Sequence, residues 1–147
     1  MEFKMKIKKL NENATVPTYG SVCAAGADLY ACESAPVTID AGQTVLVHTG
    51  IAMEIPQGYV GLIYARSGLA TKKGLAPANK VGVIDSDYRG EIMVALHNHG
   101  SASQTVEHGE RVAQIVFTPY RAASFQVCDE LDSTDRGSGG FGSTGTK

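Results

Sequence analysis

A short polar segment between two apolar runs carries side chains that can exchange protons and bind polar ligands. The runs, residues 81–84 and 92–96, are rich in β-branched residues and too short for helices, so we expect two strands of a hairpin. The connection between them holds Asp85, Asp87, Tyr88 and Arg89. A loop fixed by strands at both ends positions such groups better than a free loop does. The alternative is a hairpin tip that is polar only for solubility.

A second candidate is the segment that begins at Arg66. Ser67 is a competent N-cap, residues 69–73 can form about two helical turns, and Gly74 suits a left-handed stop. The N-terminus of a helix presents unpaired N–H groups and positive partial charge, which favour a phosphate. Arg66 and the Ser67 hydroxyl lie beside that end. The alternative is an ordinary surface helix with an ordinary cap.

The glycine-rich end of the chain, residues 136–147, is a third candidate. Its glycines match G-x-G-x-x-G, but a dinucleotide-binding fold needs a strand before that motif and a helix after it, and only five residues follow. A glycine-rich backbone can instead wrap a phosphate chain, while Arg136 neutralises charge and Phe141 stacks on a base. The alternative is a floppy tail without function.

Two further patterns carry less weight. His97 and His99 point to the same face of an extended chain, which is metal-ligand spacing. Because no third ligand pattern lies nearby, we favour polar strand-end residues there. The small residues around Asp28 allow close approach of a ligand or of another segment, and a packed strand with an acid at its edge explains them equally well.

Composition limits the classes of protein. The chain has 147 residues, 43% of them hydrophobic and 19% charged, which is typical of one soluble domain with a real core. The formal net charge of −2 creates no field for nucleic acid, so a polyanionic ligand must be held by local groups. No apolar stretch approaches the roughly 18 residues of a membrane span. Three cysteines without a C-x-x-C pair indicate free thiols and a cytoplasmic location.

The elements that must position these residues are short strands. Brief apolar segments separated by glycine and proline turns favour an all-β sandwich, barrel or jelly roll, with one short helix after Arg66. The apolar pattern thins from residue 121. We therefore expect a β domain over 1–120 and a C-terminal arm over 121–147.

Five segments of the chain resemble, in order, the five motifs of the trimeric dUTP pyrophosphatases (dUTPases). They are Ala-Gly-Ala-Asp-Leu at 25–29, Ala-Arg-Ser-Gly-Leu at 65–69, Gly-Val-Ile-Asp-Ser-Asp-Tyr-Arg-Gly at 82–90, Gly-Glu-Arg-Val-Ala-Gln at 109–114, and the glycine-rich end from Arg136. A single short match of this kind can arise by chance. Five in the family's order are a specific signal.

The resemblance implies a fold, an activity and an assembly. The fold would be a single all-β domain, barrel or jelly-roll-like (the dUTPase-like β-clip), with one short helix and a flexible C-terminal arm. The activity would be hydrolysis of dUTP to dUMP and pyrophosphate with Mg²⁺, which removes dUTP and supplies the dTMP precursor. The assembly would be a homotrimer whose active sites are shared between subunits, with no nucleic acid and no membrane as partner.

The resemblance also implies residue roles. Asp85 resembles the general base that takes a proton from the water attacking the α-phosphorus. Asp28 matches the acid thought to reach Mg²⁺ through water, the metal being bound chiefly by the triphosphate. The residues expected at the phosphates are Arg66, Ser67, Gly68, Gln114 and Arg136. The residues expected at uracil and deoxyribose are Asn79, Gly82, Ile84, Asp85, Tyr88, Met93 and Phe141.

Two other functions fit part of the pattern. The dCTP deaminases share the fold and the nucleotide site, but they resemble this chain less, since Ala95 stands where they need a glutamate and Ser86-Asp87 stands where they show Pro-Gly. A non-enzymatic nucleotide-binding trimer is the other alternative. The presence of base, arginines and glycine-rich lid together argues against it.

Overall fold

Over residues 3–145, which the computed structural model describes, the chain forms twelve short strands and one helix. In chain order these are β1 (Lys6–Lys9), β2 (Thr18–Tyr19), β3 (Ala27–Tyr30), β4 (Val37–Ile39), β5 (Thr44–His48), β6 (Ile51–Glu54), β7 (Tyr59–Tyr64), α1 (Ser67–Lys73), β8 (Leu75–Pro77), β9 (Gly82–Ile84), β10 (Met93–Asn98), β11 (Gln104–Val106) and β12 (Arg111–Pro119). The predicted all-β fold with one short helix is confirmed.

The largest sheet has five antiparallel strands in the order β2-β3-β12-β7-β9. The longest strand, β12, lies at its centre between β3 and β7. The register places Gln114 of β12 opposite Asp28 of β3 on one side and opposite Tyr64 of β7 on the other. Because residues aligned across a sheet share a face, this row collects polar side chains from three strands at one place.

Three smaller sheets complete the fold: β5-β10-β8, β1-β6 and β4-β11. The predicted hairpin of residues 81–84 and 92–96 is therefore wrong in its pairing. Both runs are strands, but β9 pairs with β7, while β10 pairs with β5 and β8. The connection between them is long enough to contain a turn of its own, closed by the Tyr88 N–H donating to the Asp85 carbonyl at 3.2 Å, so the two strands can diverge into different sheets.

The core draws on all four sheets. The large side chains that are fully buried are Leu29, Ile39, Ile51, Ile55, Leu75, Ile92, Leu96 and Ile115. Each contributes about 1.5–3 kcal/mol by leaving water. Asn98 is also fully buried, at the end of β10, and it donates to the carbonyls of Ile39 and Ala102 at 2.8 and 2.9 Å. These two hydrogen bonds satisfy the buried amide of Asn98 where β10 ends.

The helix α1 ends as predicted but begins one residue earlier than expected. Gly74 has φ of 66° and its N–H reaches the carbonyls of Ala70 and Leu69, which is a left-handed stop. The predicted N-cap, Ser67, is instead the first helical residue. Arg66 occupies the cap position in extended conformation, and its side chain turns to Asp28, as described below.

The described chain beyond β12, residues 120–145, is mostly exposed. The Tyr120 N–H donates to the Gly58 carbonyl at 3.0 Å, and residues 121–145 of the described chain contain no helix or strand. Apolar side chains of this segment, Phe125 and Val127 among them, are almost completely exposed. The division into a domain over 1–120 and an arm over 121–147 stays a prediction, and the last two residues of that arm lie outside the described residues.

The cysteines differ in environment. Cys32 is buried, whereas Cys23 and Cys128 are exposed, and all three are free thiols. Burial raises the pKa of the Cys32 thiol, and the charges of Glu91 and Glu33 raise it further. Within residues 3–145, no helix is both long and apolar enough to cross a membrane.

Candidate functional site

A cavity of about 290 Å³ lies between β9 and β10. It is lined by six of the seven residues predicted to contact uracil and deoxyribose: Asn79, Gly82, Ile84, Asp85, Tyr88 and Met93. These six residues come from one stretch of the chain, 79–93, and Leu46 and Ile63 complete the lining from two distant strands. The space is of a size suited to a small organic ligand. The seventh residue, Phe141, lies on the arm and is fully exposed.

In one wall of the cavity the backbone of Gly82 lies close to the side chains of Asn79 and Ile63. Gly82 is buried, and a Cβ atom at this position would lie 3.2 Å from the Asn79 amide nitrogen and 3.2 Å from the Ile63 Cβ. The turn that leads into β9 is tight, with Lys80 at φ of 63° and the Val81 N–H donating to the Asn79 carbonyl at 2.6 Å. A side chain at position 82 would therefore displace the groups that form this wall.

The loop between β9 and β10 is held by its own side chains. The Tyr88 hydroxyl donates to the Glu91 carbonyl at 2.9 Å, and the ring folds over Gly90, where a Cβ atom would overlap the hydroxyl oxygen. Arg89 donates from Nη1 to the carbonyls of Ser86 and Tyr88 at 2.7 and 3.0 Å. The loop that carries Asp85 is consequently ordered by local hydrogen bonds.

Asp85 lies at the border of two spaces. It is exposed, and it lines both the cavity and a neighbouring groove of about 740 Å³. Lys4, Lys6 and Arg89 also line that groove, so its wall carries three cations. A carboxylate in this position is open to both spaces, which is the placement that a general base for water needs.

A second polar cluster is built on the row across β3, β12 and β7. The carboxylate of Asp28 is nearly buried; its Oδ1 accepts from Arg66 Nε at 2.7 Å and its Oδ2 from Arg111 Nη1 at 3.3 Å. Gln114 donates to the Ala65 carbonyl at 2.9 Å. Gly26 allows Gln114 this position, because a Cβ atom at residue 26 would overlap the Gln114 amide oxygen.

The structure thus brings three of the predicted site residues together: Asp28, Arg66 and Gln114. Ser67 and Gly68 follow directly at the exposed start of α1. Arg111 was missed, although it stands within the same short segment as Gln114. Among the described residues, none of this cluster lines the cavity between β9 and β10.

The arm residues Arg136 and Phe141 contact neither the cavity nor the polar cluster in the described chain. Arg136 donates from Nε to the Gly139 carbonyl at 2.8 Å, a contact within the arm. Phe141 has φ of 51°, and its side chain is fully exposed. The predicted roles of Arg136 at the phosphates and of Phe141 at the base therefore stay predictions.

Protein metal sites are built mainly from grouped His, Cys, Asp and Glu side chains. Within residues 3–145, no cluster of three or more His, Cys, Asp or Glu side chains could hold a metal ion. His97 and His99 do lie together, with ring centroids 4.4 Å apart, and the His97 Nδ1 lies 2.9 Å from the Thr44 hydroxyl. Asp28 has both oxygens engaged by guanidinium groups, so it forms no preformed cage. Mg²⁺ keeps most of its waters and needs few protein ligands. The predicted contact of Asp28 with Mg²⁺ through water stays a prediction.

Glu91 is a residue of the cavity wall that sequence reasoning did not single out. Its Oε2 lies 3.0 Å from the Nδ1 of His48. This hydrogen bond raises the pKa of His48. The negative charge of Glu91 raises it further, whereas partial burial of the ring lowers it, and the net shift is upward. The His48 ring is half exposed.

An all-β scaffold, a cavity with a close-packed glycine in its wall, and a separate arginine–glutamine cluster together suit a nucleotide-binding β protein. The dUTPase family model matches residues 12–145, and the chain belongs to that family. This confirms the resemblance seen in the five motifs, and it makes the chain a nucleotide hydrolase of the dUTP diphosphatase class.

Relatives match over almost the whole chain. The deoxyuridine 5'-triphosphate nucleotidohydrolase of Desulfitobacterium hafniense is 51% identical over 145 residues, which cover 97% of this chain and 96% of that protein. The protein of the same name from Syntrophotalea carbinolica is 46% identical over 141 residues, 96% of each chain. The dUTPase of Staphylococcus bacteriophage 80alpha, solved with dUPNHPP, is similar with a TM-score of 0.89 and 28% identity, covering 97% of this chain and 99% of that one.

Proposed function

We propose that this chain hydrolyses dUTP to dUMP and pyrophosphate, with Asp85 as the general base that activates water for attack on the α-phosphorus. The observation that carries the proposal is the meeting of six expected nucleoside residues around one cavity, with Asp85 at its border. A base in that position lies beside the bound nucleotide and still faces solvent.

The nucleoside is read mainly by backbone. Polar groups of the chain at Gly82 and Ile84, together with the Asn79 amide, hydrogen-bond the uracil edge. In this proposal the backbone wall at Gly82 and Ile84 has no space for the methyl group of thymine. Tyr88 lies against the deoxyribose, where a ribose 2′-hydroxyl would clash, and Met93 supports the floor.

The triphosphate is held by the second cluster and by the arm. Arg66 uses its Nε for Asp28, which leaves its two Nη groups for phosphate oxygens. Ser67, Gly68 and Gln114 add hydrogen bonds, and Arg136 adds charge when the arm closes with Phe141 over the base. Asp28 is the residue expected to reach Mg²⁺ through water, and the ion, when bound, neutralises charge on the triphosphate.

The assembly that we propose is a homotrimer with shared active sites. The cavity and the arginine–glutamine cluster are separate in one chain, and the arm carries exposed apolar side chains at Phe125, Val127 and Leu131. An arm that crosses to a neighbouring subunit would cover those side chains and complete a site. In the cytoplasm, the reaction would remove dUTP and supply dUMP as the precursor of dTMP.

The deaminase alternative is weaker at the level of the cavity wall. Ala95 lines the cavity where a catalytic glutamate would be needed. The nearby acid, Glu91, is already bound to His48 and to the Gly50 N–H. No free carboxylate from β10 therefore faces the cavity within the described chain.

A nucleotide panel tests the proposed function. The protein with Mg²⁺ is incubated separately with dUTP, dTTP, dCTP and UTP, and pyrophosphate and ammonia are both measured. We expect pyrophosphate from dUTP and little product from the other three nucleotides. Ammonia from dCTP would replace the proposal with the deaminase reaction, and binding of dUTP without any product would replace it with the non-enzymatic alternative.

A further inference from the structure

The side chain of Glu91 joins the nucleoside loop to a distant turn. Its Oε1 accepts from the Gly50 N–H at 2.8 Å, and its Oε2 pairs with His48 Nδ1 at 3.0 Å. Both partners lie more than forty positions earlier in the sequence, at the junction of β5 and β6. The carboxylate is 23% exposed, so these hydrogen bonds are partly shielded from water.

The turn at Gly50 is closely packed and hydrogen-bonded. Gly50 is buried with φ of 67°, and a Cβ atom there would lie 2.8 Å from the Ala14 Cβ and 2.9 Å from the Cys32 Sγ. The same turn is fastened to the strand after the loop. The Ile92 N–H donates to the Ile51 carbonyl at 2.8 Å, and the buried Thr49 hydroxyl donates to the Ile92 carbonyl. Motion of this turn would open the core.

The backbone carbonyl of Glu91 contacts the side chain of Tyr88. The carbonyl accepts the Tyr88 hydroxyl at 2.9 Å, and the ring lies over Gly90. Tyr88, Glu91 and Asp85 all line the same cavity. A shift of the Glu91 backbone therefore moves the Tyr88 ring and the wall of the cavity with it.

We propose that Glu91 is a positioning residue for nucleoside selectivity. Its carboxylate fastens the loop to the Gly50 turn, and its carbonyl thereby holds Tyr88 in the place where it discriminates deoxyribose from ribose. The fastening follows from the contacts above, whereas the selectivity rests on the proposed function. Glu91 contacts no reacting atom; it acts through Tyr88.

Two measurements test the fastening of the loop and the nucleoside selectivity separately. In the free protein, the nuclear Overhauser contact between the Tyr88 ring and the Gly90 α protons reports the position of the ring without any nucleotide. In turnover, the ratio of kcat/KM for dUTP to that for UTP reports selectivity. We expect Glu91→Ala to lose the contact between the Tyr88 ring and Gly90. The same change should lower the dUTP-to-UTP ratio of kcat/KM by about tenfold, mainly through a lower KM for UTP.

Matched variants distinguish positioning from general damage. Glu91→Gln can still accept from the Gly50 N–H and donate to neutral His48, so at about pH 8 it should restore both readouts. Glu107→Ala makes the same change on the exposed turn before β12, and Val106→Ala destabilises the remote strand β11. Both should keep the ring contact and the selectivity ratio, the second despite a lower melting temperature.

Clear results overturn the proposal. Persistence of the Tyr88–Gly90 contact in Glu91→Ala would do so, and so would an equal loss of selectivity in Val106→Ala or failure of Glu91→Gln to restore it. If Glu91→Ala does not fold, Tyr88→Phe removes the same hydroxyl bond from an exposed side chain, and unchanged selectivity there would exclude the mechanism. If the wild-type protein does not turn over dUTP, the proposed function fails while the ring contact still decides the positioning.

Discussion

Arg66 donates from Nε to Oδ1 of Asp28 at 2.7 Å, and this ion pair passes over the central strand of the largest sheet. Asp28 belongs to β3 and Arg66 follows β7, with β12 between the two strands. The pair fixes the plane of the guanidinium group and leaves its outer edge for a ligand. A nearly buried carboxylate thus orients the guanidinium group that we propose for the phosphates.

The first prediction concerns this pair. Asp28→Asn keeps the shape of the side chain but leaves Arg66 and Arg111 without their counter-charge, so the free energy of unfolding should fall by about 1–3 kcal/mol. Chemical denaturation measures it. The control is Glu110→Gln, whose pair with Lys73 at 3.3 Å is more than one-third exposed and should cost less than about 1 kcal/mol. Equal effects of the two changes would contradict the structural role of Asp28.

A second prediction separates chemistry from binding at Asp85. Asp85→Asn removes the proton acceptor without changing shape, so turnover of dUTP should fall by about 10²- to 10⁴-fold. Affinity for a non-hydrolysable dUTP analogue, measured by calorimetry, should stay the same. Asp87→Asn is the matched change two positions further along the loop and should keep most of the turnover. A parallel loss of affinity in Asp85→Asn would make Asp85 a binding residue instead.

The third prediction is that the arm contributes function without contributing core. Deletion of residues 136–147 removes a glycine-rich segment that is mostly exposed over its described part, 136–145, so the melting temperature without ligand should change by less than about 2 °C. Turnover should fall strongly, since Arg136 and Phe141 are lost. A large drop in melting temperature would show that the segment is part of the folded domain.

The shared site gives a fourth prediction. Asp85→Asn chains and chains truncated before Arg136 are unfolded together and refolded as an equal mixture, each parent being nearly inactive. If loop and arm come from different subunits of a closed trimer, about a quarter of the sites regain both. Activity at the parental level in verified mixed trimers would mean that each chain completes its own site.

The fifth prediction follows from the raised pKa of His48. The bond to Glu91 favours the protonated ring in the folded state, so its stabilisation is fully present below the ordinary histidine pKa and disappears as pH rises through the folded value. His48→Gln should therefore lower the melting temperature more at pH 6 than at pH 9. His108→Gln, on the exposed turn before β12, is the control. A pH-independent difference for His48→Gln would contradict the pairing.

Local features of the fold were predictable and distant pairings were not. Gly74 ends α1 because its left-handed conformation depends on adjacent residues only. The partners of β9 and β10 depend on strands far away in the sequence, and nothing within residues 81–96 specifies them. The same distinction holds at the site. The five motifs marked Asp28 and Gln114, whereas Arg111 reaches Asp28 only through a register that shifts between Arg111 and Ala113.

Glu91 shows why a site residue escapes sequence reasoning. Its position after the loop gives no sign of the Gly50 turn to which it binds, because that turn lies 41 residues earlier. His48 gave no sign either, since a lone histidine at the end of a short strand is ordinary. Such links become visible only when the strands are assembled.

The unequal environments of the three cysteines equip the native chain for spectroscopy. Cys32 is buried and its thiol holds its proton to higher pH, so maleimide dyes should react at Cys23 and Cys128 first. Cys128 lies in the exposed segment after β12, and Cys23 lies in the loop before β3. Energy transfer between a donor and an acceptor dye at these two thiols would report their distance. Repeating the measurement with each nucleotide would test the proposed closure of the arm in the native sequence.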